Sequence, residues 1–314
     1  MSALSRSEFH SEEAAFAHLE RMIWADGPAC PHCGAVERLT KVKANPEKRI
    51  RVGLWRCGHC KSQFTVKVGT VFEHMRLPLH KALQAVYLMT RSKKGISAHQ
   101  LHRVLEITYK SAWFLAHRIR EAMRDGDLAP FGSGGGIVEV DETFIGFDRT
   151  IKPKDEKKGR GYAQKHKVLS LIDRDTGRQR SMVVDSLKAV DLFQILKANI
   201  AAEAIVITDE AGQYAHLNKS FAGHGFTRHS AGQYVDYENP TIHTNTIEGA
   251  FSIFKRGMKG VYQHCQKKHL HRYVAEFEFR YNHRIALGCN DKDRSVAAIK
   301  GIVGKRLSYT PSLT

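Results

Sequence analysis

The stretch "IVEVDETFIG", residues 137–146, decides the fold class that we predict for this chain. Its first four residues are mostly apolar and are followed by Asp141 and Glu142, so we expect a buried β-strand that ends at Asp141. The preceding "FGSGGG", residues 131–136, is typical of a flexible linker. The stretch therefore predicts the first strand of a new domain, with carboxylates at its end.

The segments that follow predict an α/β domain. Residues 166–185, "HKVLSLIDRDTGRQRSMVVD", indicate two strands around an Asp-Thr-Gly turn, and residues 191–200, "DLFQILKANI", indicate an amphipathic helix. A strand follows at residues 203–214, "EAIVITDEAGQY", then a short strand near residues 225–230, and then a helix within "HTNTIEGAFSIFKRG", residues 243–257. This order, with acids at two strand ends and on the later helix, is typical of a ribonuclease H-like domain with a mixed sheet.

Three acidic side chains in this domain are candidates for a catalytic metal site: Asp141, Asp209 and Glu248. Mg²⁺, or Mn²⁺ in its place, prefers oxygen ligands, and two ions about 3.5–4 Å apart can promote an in-line phosphoryl transfer. Singly, each acid also fits an ordinary role as a turn cap, a helix N-cap or a surface ion-pair partner. Jointly they favour the metal site, although the adjacent Glu142 and Glu210 leave the register of both strands open.

The helix in "HTNTIEGAFSIFKRG" combines an acid with basic and amide side chains. Glu248 and Lys255 are seven residues apart, which is about two helical turns, so they share a face but are too far apart for an ordinary intrahelical ion pair. We therefore expect Glu248 to hold metal and Lys255 to meet a DNA phosphate, with Arg256 and Lys259 as further DNA-binding candidates. Asn245, near the helix start, is a candidate whose role stays open.

Four of the six cysteines form two CxxC pairs, "CPHC" and "CGHC", separated by residues 34–56. Two such pairs can supply four thiolates to one tetrahedral zinc ion, which leaves no open position for chemistry. The alternating residues between and after the pairs favour a structural zinc ribbon of short hairpins over a helical finger. The alternatives are a redox motif or buried reduced cysteines. The predicted zinc ligands are Cys30, Cys33, Cys57 and Cys60.

Residues 96–123 predict two helices that are separated by a break at "EITY", with Ser97 as the cap of the first. This layout is typical of a helix-turn-helix, whose second helix reads DNA. The alternative is an ordinary helical hairpin with a basic solvated surface. The DNA-binding candidates on the second helix are Lys110, His117, Arg118 and Arg120.

A later helical stretch, residues 266–284, carries aromatic residues at steps of four and many basic residues. We expect Tyr273, Phe277 and Tyr281 to pack in the core and the basic residues to face outward, toward phosphates or simply toward solvent. The basic candidates are Lys267, Lys268, Arg272, Arg280 and Arg284. The insert at residues 148–167 is a further basic loop that could hold DNA.

The net charge of the chain indicates which class of partner it binds. The chain has 49 Lys and Arg against 32 Asp and Glu, a formal charge of +17, which favours nucleic acid over an anionic membrane surface as the partner. It contains no apolar run long enough to cross a membrane and no signal-peptide pattern, so we expect a cytoplasmic, nucleoid-associated protein. We expect a helical segment at 1–25, a zinc ribbon at 26–70, a helical DNA-binding segment at 71–130, the α/β domain at 135–288 and a C-terminal tail at 289–314.

The motifs resemble those of a known family, the DDE transposases of bacterial insertion sequences, and in particular the ISXO2-like group that carries a zinc ribbon. The resemblance rests on "CPHC" with "CGHC", "VEVDETFIG", "VITDEAGQY", "HTNTIEGAFSIFKRGMKGVY" and "KHLHRYVAEFEFRYNHR". It implies that Asp141, Asp209 and Glu248 are the acidic triad and that Lys255 is the basic residue that trails it. Some relatives carry Asn in place of the third acid, whereas Glu248 stands here.

The resemblance also implies an activity: hydrolysis at the 3′ ends of the element, then attack of the freed 3′-hydroxyl on target DNA. The implied partners are the terminal inverted repeats, the target DNA and a second copy of the chain on paired ends, with Mg²⁺ and structural Zn²⁺ but no small-molecule cofactor. Two alternatives stay open. One is a nuclease or resolvase of the same fold without strand transfer, and the other is a catalytically inactive zinc-ribbon regulator.

Overall fold

The computed structural model describes residues 3–147 and 164–308 and divides the chain into two compact units. Unit 1 combines residues 1–124 with residues 289–314, and unit 2 comprises residues 125–288. The segment that we expected to be a C-terminal tail therefore groups with the N-terminal part of the chain. The predicted boundaries inside unit 1 stay predictions. Most of the predicted basic loop, residues 148–163, lies outside the described residues.

The elements are numbered in chain order. The helices are α1 (Glu12–Ile23), α2 (Leu79–Arg91), α3 (Ala98–Leu105), α4 (Tyr109–Met123), α5 (Ala189–Asn199), α6 (Asn245–Gly257), α7 (Lys267–Asn282) and α8 (Asp291–Lys300). The strands are β1 (Leu39–Lys41), β2 (Trp55–Cys57), β3 (Gln63–Phe64), β4 (Ile137–Ile145), β5 (His166–Asp173), β6 (Gln179–Val184), β7 (Ile205–Asp209) and β8 (Gly223–Thr227). In the described residues, no helix is both long and apolar enough to span a membrane.

Unit 1 contains a small antiparallel sheet, in the order β1-β2-β3, and a group of helices. The short strands confirm a ribbon rather than a helical finger. Ser97 caps α3, because its side chain accepts a hydrogen bond from the Gln100 backbone N–H, and Thr108 caps α4 in the same way. Helix α8 packs against α2, α1 and α4. At its contact with α2, the hydroxyls of Ser295 and Thr90 form a hydrogen bond of 2.9 Å.

Unit 2 is built on a five-stranded mixed sheet in the order β6-β5-β4-β7-β8. The strands β4, β5 and β6 are antiparallel neighbours, whereas β7 and β8 run parallel to β4. This is the ribonuclease H-like order that the sequence predicts. The prediction that β4 ends at Asp141 is wrong, because β5 continues to pair with it as far as Ile145, which lies opposite His166.

The two faces of this sheet carry different cores. Val138 and Val140 of β4 pack on the α5 side with Leu192 and Leu196. Residues of the opposite parity face α6 and α7, where they form two further apolar clusters. Their members on the sheet and on α6 include Ile145, Val168, Ile172, Ile247, Phe251 and Phe254. Side-chain alternation along β4 therefore assigns each of its residues to one face.

The sequence predicts that the glycine-rich segment before β4 is a flexible linker. The structure shows instead that this segment is packed. Phe131 is buried, and it forms backbone hydrogen bonds at 2.9 Å with both Asn199 and Ala201, at the end of α5. Gly132, Gly134 and Gly135 have positive φ values of 73°, 81° and 89°, which a residue with a side chain adopts only with strain. Glycine here makes a tight turn into the sheet.

Candidate active site

Asp141 and Asp209 lie on neighbouring parallel strands and on the same face of the sheet. The β4–β7 register pairs Glu139 with Ile207, so continuing it by two residues brings Asp141 opposite Asp209. Both carboxylates therefore point toward α6, the helix that carries Glu248. Three segments that are distant in sequence thus bring their acids to one place.

Glu248 and three basic residues of α6 and the turn after it line one cavity with Asp141. The cavity has a volume of about 740 Å³, and its basic lining residues are Lys255, Arg256 and Lys259. These residues lie seven, eight and eleven positions after Glu248, which is about two to three helical turns, so they lie on the same side of the helix. Asn245, the first residue of α6, is exposed and does not line this cavity.

The electrostatics of Asp141 show that the acids are close. Burial, the largest cause, and the charges of Glu142, Asp209 and Glu248 together raise the pKa of Asp141 to about 8, although the hydrogen bond from the Glu142 backbone N–H lowers it. A bound cation would keep a carboxylate with so high a pKa in its charged form, because the cation offsets the repulsion from the other acids. The carboxylate oxygens of Asp141, Asp209 and Glu248 are hard donors of the kind that Mg²⁺ and Mn²⁺ prefer, so these acids fit a divalent metal.

The side chain of Glu142 turns to the α5 side of the sheet, although Glu142 also lines the cavity of Asp141 and Glu248. Its carboxylate accepts hydrogen bonds from the Tyr214 hydroxyl at 2.5 Å and from the Gln213 amide at 3.3 Å. Burial raises the pKa of Glu142 above its usual value. The alternation along β4 thus resolves the register in favour of Asp141 as the residue that faces α6.

Glu210 also turns away from its neighbour Asp209. Its carboxylate accepts bonds at 2.9 Å from the backbone N–H and the hydroxyl of Ser230. This fixes the turn that carries His229, whose Nδ1 lies 3.7 Å from Glu248 Oε1 and whose Nε2 lies 3.1 Å from the Thr227 hydroxyl. Sequence reasoning missed His229, because nothing in its spacing links it to the acids.

The four cysteines predicted as zinc ligands converge in unit 1. Sγ of Cys30 lies 3.7 Å from Sγ of Cys60, and the same distance separates Cys33 from Cys57. A tetrahedron with Zn–S bonds of about 2.3 Å has S···S edges of about 3.8 Å, so the geometry fits zinc. Among the residues that the structure describes, this is the one group of three or more Cys, His, Asp or Glu whose ligand atoms all lie within 4.8 Å of one another.

The basic candidates on α4 are divided by burial. Lys110 is exposed at the start of the helix. The side chains of His117, Arg118 and Arg120 are buried in unit 1, and Arg118 donates to the carbonyls of Val71 and Glu73. The expectation that these three residues face DNA is wrong for this structure, because their side chains are buried and Arg118 is bound by acceptors that are distant in sequence.

The basic residues of α7 are divided in the same way. Lys267 and Lys268 are exposed at its start, and Lys267 lies 2.6 Å from Asp185. Arg272 is partly buried, whereas Arg280 is buried and paired with Glu276, so Arg280 does not face outward as expected. Arg284 donates to the Gly177 carbonyl at 2.8 Å. The aromatic residues Tyr273 and Phe277 are in the core, as the step of four predicts.

Solved transposase structures resemble this chain only distantly. The Mos1 transposase paired-end complex with left transposon end has a TM-score of 0.28 at 11% identity, covering 71% of this chain and 80% of that one. The pre-cleavage Mos1 transpososome has a TM-score of 0.26 at 12% identity, covering 72% and 79%. Scores this low add nothing to the assignment.

Relatives in sequence are more informative. An uncharacterized protein in the transposable element ISH50 of Halobacterium salinarum is 30% identical over 293 residues, which cover 87% of this chain and 91% of the relative. That relative is archaeal, so the resemblance is not confined to bacterial insertion sequences. Residues 134–282 match the ISXO2-like transposase domain, and residues 10–63 match the transposase zinc-ribbon domain. With a relative that spans nearly the whole chain and two domain families in the expected order, this chain belongs to the ISXO2-like DDE transposases with a zinc ribbon.

Proposed function

We propose that the protein is a DNA transposase that cleaves the ends of an insertion sequence and joins the freed 3′-hydroxyls to target DNA. One observation carries this proposal: Asp141 and Asp209 share a face of adjacent parallel strands, and α6 packs Glu248 across that face. Three carboxylates in this arrangement suit phosphoryl transfer, and membership of the transposase family favours DNA as the substrate.

The carboxylates of Asp141, Asp209 and Glu248 would hold Mg²⁺ or Mn²⁺. When bound, the metal supplies activation of the attacking oxygen and stabilisation of the leaving oxygen. The three carboxylates do not all lie within 4.8 Å of one another, but a site for two ions about 3.5–4 Å apart does not require all of them on one ion.

The basic residues beside the acids would hold the DNA backbone. Lys255, Arg256 and Lys259 line the same cavity as Asp141 and Glu248, so a phosphate at the acids would have cationic partners along α6 and the turn after it. We assign further phosphate contacts to Lys110 and to the exposed Lys267 and Lys268. Two copies of the chain would hold the two element ends during the reaction, and zinc at the four cysteines would stabilise the ribbon.

Incubating the purified protein with labelled element ends, target plasmid and Mg²⁺ tests the proposal. Joined products are expected from the wild type, and Asp141→Ala should abolish cleavage and joining but keep DNA binding. Glu203→Gln is the control, because Glu203 accepts a hydrogen bond from the Gly134 backbone N–H and does not line the cavity of Asp141 and Glu248. Strand transfer by Asp141→Ala would disprove the site. Cleavage without joining would favour the nuclease, and salt-sensitive binding without either reaction would favour the regulator.

A further inference from the structure

Glu139 is a buried carboxylate two residues before Asp141. Its side chain is fully excluded from solvent, and Oε2 accepts a hydrogen bond at 2.9 Å from the backbone N–H of Ile247. Ile247 lies in the first turn of α6, directly before Glu248. The bond therefore links the strand of one acid to the helix of another.

This link is short. Glu139 and Asp141 lie on the same face of β4, about 7 Å apart along the strand. Ile247 and Glu248 are covalent neighbours at the start of the helix, where backbone N–H groups have no partner within the helix and favour a negative charge. One hydrogen bond thus fixes the distance between the backbone that carries Asp141 and the backbone that carries Glu248.

Arg174 supports Glu139 from the other side. Its Nε donates to Glu139 Oε1 at 2.6 Å, and its other nitrogens donate to the carbonyls of Thr241 and His243, in the loop before α6. Arg174 Nη2 also lies 2.9 Å from His243 Nδ1, which therefore accepts a bond from Arg174. His243 is then neutral, in agreement with its pKa, which burial and Arg174 lower, so its 3.6 Å approach to Glu139 is not an ion pair.

We infer that Glu139 is a positioning residue that sets the separation of Asp141 and Glu248 and thereby the affinity of the site for a divalent metal. The inference rests on the proposed function, because it assumes that these two acids bind the metal. Glu139 itself is enclosed by Arg174, His243 and the Ile247 N–H, so it does not need to touch metal or DNA to act.

Measuring Mn²⁺ binding to the full chain by calorimetry, in the absence of DNA, tests this inference. Glu139→Ala should raise the Mn²⁺ dissociation constant at least tenfold, and cleavage of element ends should recover as Mn²⁺ is raised. Glu139→Asp keeps the charge but is one methylene shorter, so it should weaken Mn²⁺ binding by a smaller factor. It serves as the test variant if Glu139→Ala does not fold.

Glu278→Ala is the matched control. Glu278 is another buried carboxylate of unit 2 that accepts a backbone N–H, that of Ser181 at 2.6 Å, but it lies on α7 and does not contact α6 through this bond. A general loss of stability would weaken Mn²⁺ binding equally in the Glu139 and Glu278 variants, and that result would overturn the inference, as would unchanged binding in Glu139→Asp and Glu139→Ala. A wild type that binds no Mn²⁺ and cleaves no DNA would refute the proposed function instead.

Discussion

Glu139 and Asp141 lie two residues apart on one strand face, and their surroundings give them different chemistry. Glu139 is enclosed with the guanidinium of Arg174, whereas Asp141 is surrounded by the acids Glu142, Asp209 and Glu248. A carboxylate whose charge is paired with an arginine can serve in a structural hydrogen bond. A carboxylate that is surrounded by other acids favours binding of a cation. The sequence "VEVDE" presents acids at positions 139, 141 and 142, and partners that are distant in sequence distinguish them: Arg174 and Ile247 for the first, Asp209 and Glu248 for the second, and Tyr214 for the third.

Glu278 gives a prediction for stability against pH. Burial raises its pKa from 4.5 to about 7, so between these values the folded protein keeps a proton that the unfolded chain releases. The free energy of unfolding should therefore fall as pH rises through this window, by up to about 3 kcal/mol when complete. Glu278→Gln cannot ionise and keeps an acceptor for Ser181, so it should be more stable than the wild type above about pH 7.

Urea denaturation of both proteins from about pH 5 to pH 8 measures this difference. The two curves should converge at the acid end of the range, because Glu278 is then protonated in the folded wild type. A constant difference across the range would contradict the prediction.

At the scale of elements, alternation and periodicity predict the order of strands and helices but not where each ends. Strand β4 continues four residues beyond the predicted end, since its length is set by pairing with β5, a contact that is distant in sequence. Helix α4 begins at the predicted break, yet Arg118 and Arg120 are buried in it. Burial of an arginine depends on acceptors elsewhere, here Val71 and Glu73, and such acceptors leave no local pattern.

Helix α4 therefore predicts opposite results for two of its basic residues. Arg118→Ala leaves the Val71 and Glu73 carbonyls without their donor and should lower the free energy of unfolding by about 2–4 kcal/mol. Lys110→Ala removes an exposed cation and should leave stability within about 0.5 kcal/mol, while the slope of log K against log salt for DNA binding falls by about 1. Chemical denaturation and salt titrations measure both effects. An unchanged slope in Lys110→Ala would exclude a phosphate contact there.

The ribbon gives a prediction for metal removal. Trp24 packs edge-on against Trp55 at 5.8 Å and against Phe64 at 6.0 Å, in the cluster that includes Cys30 and Cys57. Chelation of zinc, or Cys30→Ser, should expose these rings and shift tryptophan fluorescence to the red, because so small a core depends on its metal. Metal analysis should find about one zinc per chain in the wild type and in the control Cys265→Ser. A tryptophan emission maximum that stays unchanged in the zinc-free protein would contradict this role of zinc.

At the scale of the whole molecule, the chain leaves unit 1 at residue 124 and returns to it at residue 289. Sequence patterns could not predict this return, because α8 is short and polar on average and its partners lie on α2, about 200 residues earlier. Arg294 donates to the Thr90 carbonyl at 3.2 Å, and the Val71 N–H donates to Ile302 at 3.1 Å. The last helix is thus part of the N-terminal core.

Truncation after Gly288 should therefore destabilise unit 1 rather than be silent. Loss of α8 uncovers α2 and removes the Ser295, Arg294 and Ile302 contacts, so the melting temperature of the ribbon and helices should fall by several degrees. Tryptophan fluorescence follows this transition, since all three tryptophans lie in unit 1. An unchanged melting temperature would show that the segment is dispensable.

The two ends of unit 2 meet at one hairpin. Arg178, beside the β5–β6 turn, binds Asp125 and Asp127 at the entry of the unit, and Arg284 near its exit donates to Gly177 in the same turn. A domain whose ends are neighbours can be inserted into a host without separating the host's own halves. A recombination event that replaced the coding segment for residues 125–288 would therefore change the chemistry and keep both parts of unit 1 in one chain.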